Sequence, residues 1–207
     1  MSPLLEYLIG GPVIRGVAMS KRHIRFGNYV VSLTSPGGPR MPNGIVCDVD
    51  AEPGATIEIG YGGVRIGALF VAPEEPWNPR PQFQPFPVNH YVDRIDVSRL
   101  AGRGPGLTPA GDDLLAGYAS GLALLHGLET QAAQIVQQAT PLTNSLSATL
   151  LLHAGHGEVP EPVHTLLNSG DLGDLLRFGH TSGAWWFKGL VLAGYPPDRA
   201  AGARRAA

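Results

Sequence analysis

The sequence predicts an α+β protein, with an N-terminal small β-barrel or rolled sheet followed by a C-terminal α-helical bundle. Two observations lead to this prediction. Short β-branched segments separated by turn residues occupy residues 12–72, whereas apolar residues recur at helical spacing from about residue 97 onward. Six short strands at such spacing are typical of a small barrel or a rolled sheet.

A proline-rich segment, residues 73–87, separates the two regions and also carries aromatic residues, including Phe83 and Phe86. Because a free linker would be polar, this composition indicates an extended strap packed along the protein surface. A proline-aromatic ligand for a partner module is the alternative. We therefore expect a β-rich half over residues 1–87, a helical half over residues 88–207, and one compact unit.

The expected strands are rich in β-branched residues and are bounded by glycine, proline and asparagine. They cover residues 13–17, 23–26, 29–33, 44–49, 56–59 and 64–71. The expected helices are separated by breaks such as Pro141, Gly170 and Gly179. They cover residues 96–101, 109–127, 129–139, 144–155, 160–168, 171–178 and 182–193.

Composition and charge exclude several classes of partner. A net charge of −2 at pH 7 gives no long-range attraction to nucleic acid. The apolar run 114–125 is shorter than the roughly 20 residues needed to cross a bilayer. Cys47 is the single cysteine, which excludes an intrachain disulfide and indicates a reducing compartment. Glu6 interrupts the N-terminal apolar run, so no signal peptide is expected and the protein is predicted to be cytoplasmic, without membrane or nucleic-acid partners.

The most informative segment for function is the glycine-rich loop Gly104-Pro-Gly-Leu-Thr-Pro-Ala-Gly-Asp-Asp113. Thr108 is expected to cap a helix whose first residue is Pro109. Bare backbone amides at the positive end of a helix dipole form a site for an anion. The alternative is a tight turn in which the two acids only complement the dipole. The residues expected to bind such an anion are Gly104, Gly106, Thr108 and Gly111, with Arg103 as the neighbouring cation.

A second segment of similar chemistry, Gly179-His-Thr-Ser-Gly183, opens the last predicted long helix. Two capped helix starts could aim at one anionic ligand from opposite sides, although a chance likeness between two caps is an equal alternative. His180 could donate a hydrogen bond to a carbonyl or phosphate oxygen, or it could bond a local carbonyl. The further residues expected at this binding site are Thr181, Ser182, Gly183 and, from another helix, Ser147.

Asp112 and Asp113 are adjacent, and adjacent residues of a helix point about 100° apart, so only one can face the ligand. Three roles are open to that acid: holding a divalent cation, accepting hydrogen bonds from a substrate amide, or acting as a general base. We expect Asp113 to be the inward acid, and we take Asp112, Asp113 and His180 as the catalytic candidates. Apart from a divalent cation at the two acids, no cofactor is expected.

The residue patterns that mark several other kinds of catalytic or binding site are absent from the sequence. The sequence shows no Gly-x-Ser-x-Gly turn for a nucleophilic serine, no phosphate-loop lysine and no dinucleotide-binding fingerprint. His153, His156 and His164 have no acidic or cysteine residue at a recognisable metal-ligand spacing, so no metal site is expected there.

The segment 104–117, taken together with Gly179–Gly183, resembles an uncharacterised bacterial domain family that includes the AllH-like subunit of oxamate carbamoyltransferase, an enzyme of anaerobic allantoin degradation. The resemblance covers mainly residues 100–194. It implies a carbamoyltransferase subunit that works with carbamoyl phosphate on a small amide or oxo-acid, in company with other subunits. A non-catalytic ligand-binding or scaffolding subunit, and a stand-alone enzyme on another small carboxylate, are the alternatives.

Overall fold

The computed structural model describes residues 2–73 and 75–202, and the chain divides between Pro79 and Arg80 into two compact units. The first unit holds a curled, seven-stranded half-barrel sheet and the second is helical, so the predicted fold class is confirmed. Residues 80–87 of the proline-rich segment belong to the helical unit. That the two units form one compact body stays a prediction.

The sheet has the strand order β4-β3-β2-β1-β5-β6-β7, and every neighbouring pair is antiparallel except β3 with β4. Its strands are β1 (Ile14–Ser20), β2 (His23–Phe26), β3 (Tyr29–Thr34), β4 (Gly44–Val46), β5 (Thr56–Gly60), β6 (Gly63–Ile66) and β7 (Leu69–Val71). The segment 64–71 was predicted as one strand, and this was wrong. The chain reverses after Ile66 at Gly67, whose positive φ of 60° suits a tight turn.

An N-terminal helix, α1 (Pro3–Gly10), was not predicted from the sequence. The hydroxyl of Ser2 caps it by accepting a hydrogen bond from the amide of Leu5, and a proline follows at the first helical position. Leu5 and Ile9 are buried in the same apolar cluster as the inner residues of the sheet. The helix therefore contributes to the core of the first unit.

The second unit consists of short and medium helices around one long central helix. They are α2 (Val97–Leu100), α3 (Ala110–His126), α4 (Glu129–Ala139), α5 (Ser145–Gly155), α6 (Glu161–Ser169), α7 (Gly173–Arg177), α8 (Ser182–Leu192) and α9 (Pro197–Gly202). The first seven of these helices were predicted from the sequence with their ends correct to within a few residues, whereas α9 was missed. None of the helices in the two described stretches is both long enough and apolar enough to traverse a bilayer.

Helix α3 forms the centre of this unit. Its residues are buried continuously from Gly111 to Ala123, because other helices surround it on several sides. Its closest partner is α8. A Cβ atom on Gly117 would overlap the carbonyl oxygen of Trp186, and one on Gly189 would overlap that of Leu114. The two backbones thus approach each other closely, and glycine at both positions allows it.

The start of α3 differs from the prediction. Pro109 occupies the capping position with φ −53° and ψ 142°, and Ala110 is the first helical residue, so Thr108 is not the cap. The amides of Asp112 and Asp113 instead donate to the carbonyl oxygen of Pro109, at 2.9 and 3.1 Å. This leaves the hydroxyl of Thr108 available for other side chains.

Residues 80–95 run along the helical unit as an extended strap. Phe83 and Phe86 pack against its apolar core, and the amides of Asn89 and Val92 donate to carbonyl oxygens at the end of α8 and just beyond it. Of the predicted strap, residues 73–87, the part that carries Phe83 and Phe86 packs against the helical unit in this way.

We predict that Gly117→Ala destabilises the protein, because the added methyl group must push α3 and α8 apart. Overpacking of this kind costs about 1–3 kcal/mol, which exceeds the gain of up to about 1 kcal/mol from replacing glycine in a helix. Gly10→Ala in α1 is the matched control, since a Cβ atom there meets nothing within 4 Å. Urea unfolding followed by circular dichroism should show a lower midpoint for Gly117→Ala alone. An unchanged midpoint would mean that the close packing is not a constraint.

Candidate functional site

The two glycine-containing segments meet at the starts of α3 and α8. The hydroxyl of Thr108, two residues before α3, lies 3.1 Å from the hydroxyl of Ser182, the first residue of α8. The contacts of Gly117 with Trp186 and of Gly121 with Ala193 advance in the same direction along the two helices. The helices therefore run parallel, and their positive ends lie together.

Asp113 lies at this junction and is almost fully buried, with 3% of its surface exposed. One of its carboxyl oxygens accepts a hydrogen bond from Thr108 at 3.3 Å, and Ser182 and Trp186 also bond to the carboxyl group. Burial raises the pKa of Asp113 to about 7, against the lowering effect of these hydrogen bonds, and the neighbouring Asp112 raises it further. Asp113 can therefore exchange a proton near neutral pH.

Asp112 is equally buried but has different partners. Its Oδ1 accepts a hydrogen bond from the amide of Gly102 at 2.7 Å, and its Oδ2 accepts one from the hydroxyl of Thr143 at 2.5 Å. The two adjacent acids thus face different groups, as their angular separation on a helix requires. Asp112 connects the loop after α2 with the segment before α5, whereas Asp113 connects α3 with α8.

Residues 100–194 match the family model described as oxamate carbamoyltransferase subunit AllH. The resemblance stated from the sequence is thereby confirmed for this stretch, which we call the AllH segment. It contains both acids and all of their partners described above. No curated protein and no solved structure matches the chain.

The glycine-rich loop of the AllH segment is exposed from Gly102 to Leu107, and Arg103 is exposed with it. Gly104 and Gly106 have positive φ angles of 111° and 103°. Gly111 is needed for close packing, since a Cβ atom there would overlap the carbonyl oxygen of Leu100, and its amide donates to the carbonyl oxygen of Arg103. Gly111 is therefore engaged within the fold, and anion binding by the rest of the loop stays a prediction.

The residues around the start of α8 differ in exposure. His180 and Thr181 are exposed on the turn before the helix, and Ser182 is half-buried. Gly183 is buried where a Cβ atom would overlap the carbonyl oxygen of Leu175. Only Ser182 among these is hydrogen-bonded to the Thr108–Asp113 pair in the described structure.

A third helix start lies beside the same loop. Asn144 caps α5 by accepting hydrogen bonds from the amides of Leu146 and Ser147, and its side-chain amide donates to the carbonyl oxygen of Leu107 at 3.0 Å. Ser147 itself is buried, and its hydroxyl has no hydrogen-bond partner in the described part of the chain. The starts of α3, α5 and α8 are thus all tied to residues 102–108.

Two features of the AllH segment were missed by sequence reasoning. Trp186 reaches Asp113, and the available signal was its position one helical turn after Ser182. His153, which is buried, and Glu158 form a pair with 2.5 Å between Nδ1 and Oε2. Within the described residues no group of three His, Cys, Asp or Glu side chains could hold a metal ion.

We predict that Asp113→Asn stabilises the protein above pH 7 and leaves it nearly unchanged at pH 4. The folded-state pKa of about 7 lies above the ordinary value of 3.8, so the folded form binds the extra proton between these values. The wild type should therefore lose stability as pH rises through this window, by at most about 1.4 kcal/mol per pH unit.

Urea unfolding at pH 4, 5.5, 7 and 8 measures the effect, and Asp93→Asn, at an exposed position, is the control. Parallel stability–pH curves for the wild type and Asp113→Asn would show that this carboxyl group titrates normally.

Proposed function

We propose that the chain is a carbamoyltransferase subunit, or a relative of one, that acts with carbamoyl phosphate on a small amide or oxo-acid such as oxamate. The observation that supports this most is the buried carboxyl group of Asp113 at the joint start of α3 and α8. A proton-exchanging acid beside two positive helix ends suits a reaction in which an amide attacks an anionic donor. The match of the AllH segment to an oxamate carbamoyltransferase subunit supports the same class of reaction.

In such a transfer the substrate nitrogen forms a bond to the carbonyl carbon of carbamoyl phosphate. The bond from that carbon to the phosphate oxygen breaks, phosphate leaves, and the nitrogen loses a proton. Asp113 in its ionised form accepts hydrogen bonds from the substrate amide and then takes this proton. Its pKa of about 7 keeps both protonation states populated at neutral pH.

The remaining candidate residues provide placement and electrostatic stabilisation. Thr108 and Ser182 orient the carboxyl group of Asp113, while the exposed loop amides near Gly104 and Gly106 bind an anionic oxygen. His180 donates to the carbonyl or phosphate oxygen as negative charge develops there. Small anionic substrates and partner subunits of the enzyme complete the proposal.

A second candidate is a non-catalytic ligand-binding or scaffolding subunit. Phosphate-handling sites commonly use arginine or lysine to bind the phosphate. The positions of the two cationic side chains near the candidate site favour this second candidate. Arg103 is exposed, and Lys188 lies over the ring of Trp185 at 3.9 Å. In this case another subunit supplies the cation and the chemistry, and this chain holds the substrate.

The chain reconstituted with its partner subunits should release phosphate in a reaction that requires both carbamoyl phosphate and oxamate. Asp113→Asn should lower the rate by at least about 100-fold, the lower range for loss of a general base, while Asp93→Asn should retain it. An Asp113→Asn complex with wild-type turnover would contradict the catalytic proposal and leave the scaffolding candidate.

Oxamate and phosphate should each raise the Tm of the isolated chain in a saturable way. A ligand at a hundred times its Kd adds about 2.7 kcal/mol of stability. Thr108→Val should weaken this effect because it removes the hydroxyl that bridges Asp113 and Ser182. The absence of any shift with a panel of small anions, in folded protein, would show that the loop is only a structural turn.

A further inference from the structure

The two adjacent acids at the start of α3 have separate tasks. We propose that Asp112 is a positioning residue, whose two oxygens fasten the glycine-rich loop to the start of α5 and thereby place Thr108 against Asp113 and Ser182. This inference rests on the proposed function of Asp113, and it removes Asp112 from the set of groups that exchange protons with the substrate.

The hydrogen bonds of Asp112 show what it fastens. Gly102, which donates to Oδ1, begins the loop that leads to Thr108, and Thr143, which donates to Oδ2, directly precedes the residue that caps α5. Asp112 is 2% exposed, so water does not compete for these bonds. The carboxyl group therefore joins Gly102 to Thr143, which are 41 residues apart in sequence.

A second contact fastens the other end of the same loop. The side-chain amide of Asn144 donates to the carbonyl oxygen of Leu107, the residue immediately before Thr108. Gly102 also lies against the backbone of Leu142, where any Cβ atom would overlap a carbonyl oxygen. Residues 102–107 are thus held to one short segment, 142–144, at both of their ends. The position of Thr108 follows from these two attachments.

The negative charge of Asp112 is not required for this task. An asparagine oxygen can accept from the amide of Gly102, and an asparagine NH₂ group can donate to the hydroxyl of Thr143, because a hydroxyl both donates and accepts. Asp112→Asn therefore keeps both attachments, whereas Asp112→Ala removes them. A residue that acted as a base or held a cation would lose its role in both variants.

The charge has one separate consequence, which is felt at Asp113. The groups that face the Asp113 carboxyl are Thr108 from the loop, Ser182 and Trp186 from α8, and Asp112 on its own helix. Among these four, Asp112 alone carries charge, and its repulsion raises the pKa of Asp113. Neutralising Asp112 by asparagine should therefore shift the titration of Asp113 to lower pH while its position is kept.

The experiment compares four variants in pairs: Asp112→Asn with Asp112→Ala, and Thr143→Ser with Thr143→Val. Each serine or asparagine keeps the hydrogen-bonding group that its partner variant removes. In the reconstituted enzyme, Asp112→Asn and Thr143→Ser should keep kcat within about threefold, whereas Asp112→Ala and Thr143→Val should lose at least tenfold. The acidic limb of the kcat profile should move to lower pH in Asp112→Asn and stay in place in Thr143→Ser.

Two measurements on the isolated chain decide the proposal without activity. Hydrogen exchange at the amide of Gly102 should stay slow in Asp112→Asn and become at least tenfold faster in Asp112→Ala. The free energy of unfolding falls as pH rises towards the pKa of Asp113. The pH above which it stops falling should be lower in Asp112→Asn than in the wild type. The proposal is overturned if Asp112→Asn loses turnover as fully as Asp112→Ala while its Gly102 amide remains protected. If the wild type performs no transfer at all, the proposed function fails, and the exchange and stability results still test the positioning role.

Discussion

The close packing of α3 against α8 is the constraint on which the candidate site depends. Gly117 and Gly189 let the two backbones approach. The contacts of Gly117 with Trp186 and of Gly121 with Ala193 show that the helices run parallel, so that their first turns lie side by side. Without that approach, Thr108 and Ser182 could not lie within hydrogen-bonding distance, and Asp113 would lose the hydroxyl and indole groups that surround its carboxyl group. The packing of α3 against α8 thus determines the positions of Thr108, Asp113 and Ser182 at the starts of these helices.

The same packing explains why Asp113 has an unusual pKa. A carboxyl group at a helix start normally ionises easily, since the helix dipole favours negative charge. Here burial between two helices outweighs that effect and the three hydrogen bonds, so the neutral form persists to about pH 7. Asp112, one position earlier, is as buried but bonds a backbone amide and a hydroxyl in the loop region. Their different partners follow from the direction in which each side chain leaves the helix.

Much of the fold could be predicted from the sequence, because local patterns determine it. The expected strand 23–26 and the expected helix 129–139 have the bounds of β2 and α4, since turn residues and breaks mark both ends. The turn at Gly67 within 64–71 was missed because a single glycine also occurs inside strands and does not by itself mark a turn. At the site, the segments around Thr108 and Ser182 were identified from glycine and cap chemistry. Their contact could not be, because it depends on the tertiary approach of α3 and α8, and the attachment of Asp112 to Thr143 depends on a third helix.

The role of Asp113 as a proton-exchanging acid is tested most directly by titrating its carboxyl group by carbon-13 NMR, with Asp113→Asn to assign the signal. If burial raises the pKa of Asp113, one aspartate signal should have a midpoint near pH 7 and be absent in the variant, and this midpoint should move when oxamate is added. A spectrum in which every aspartate titrates below about pH 5, close to the ordinary aspartate value, would contradict it.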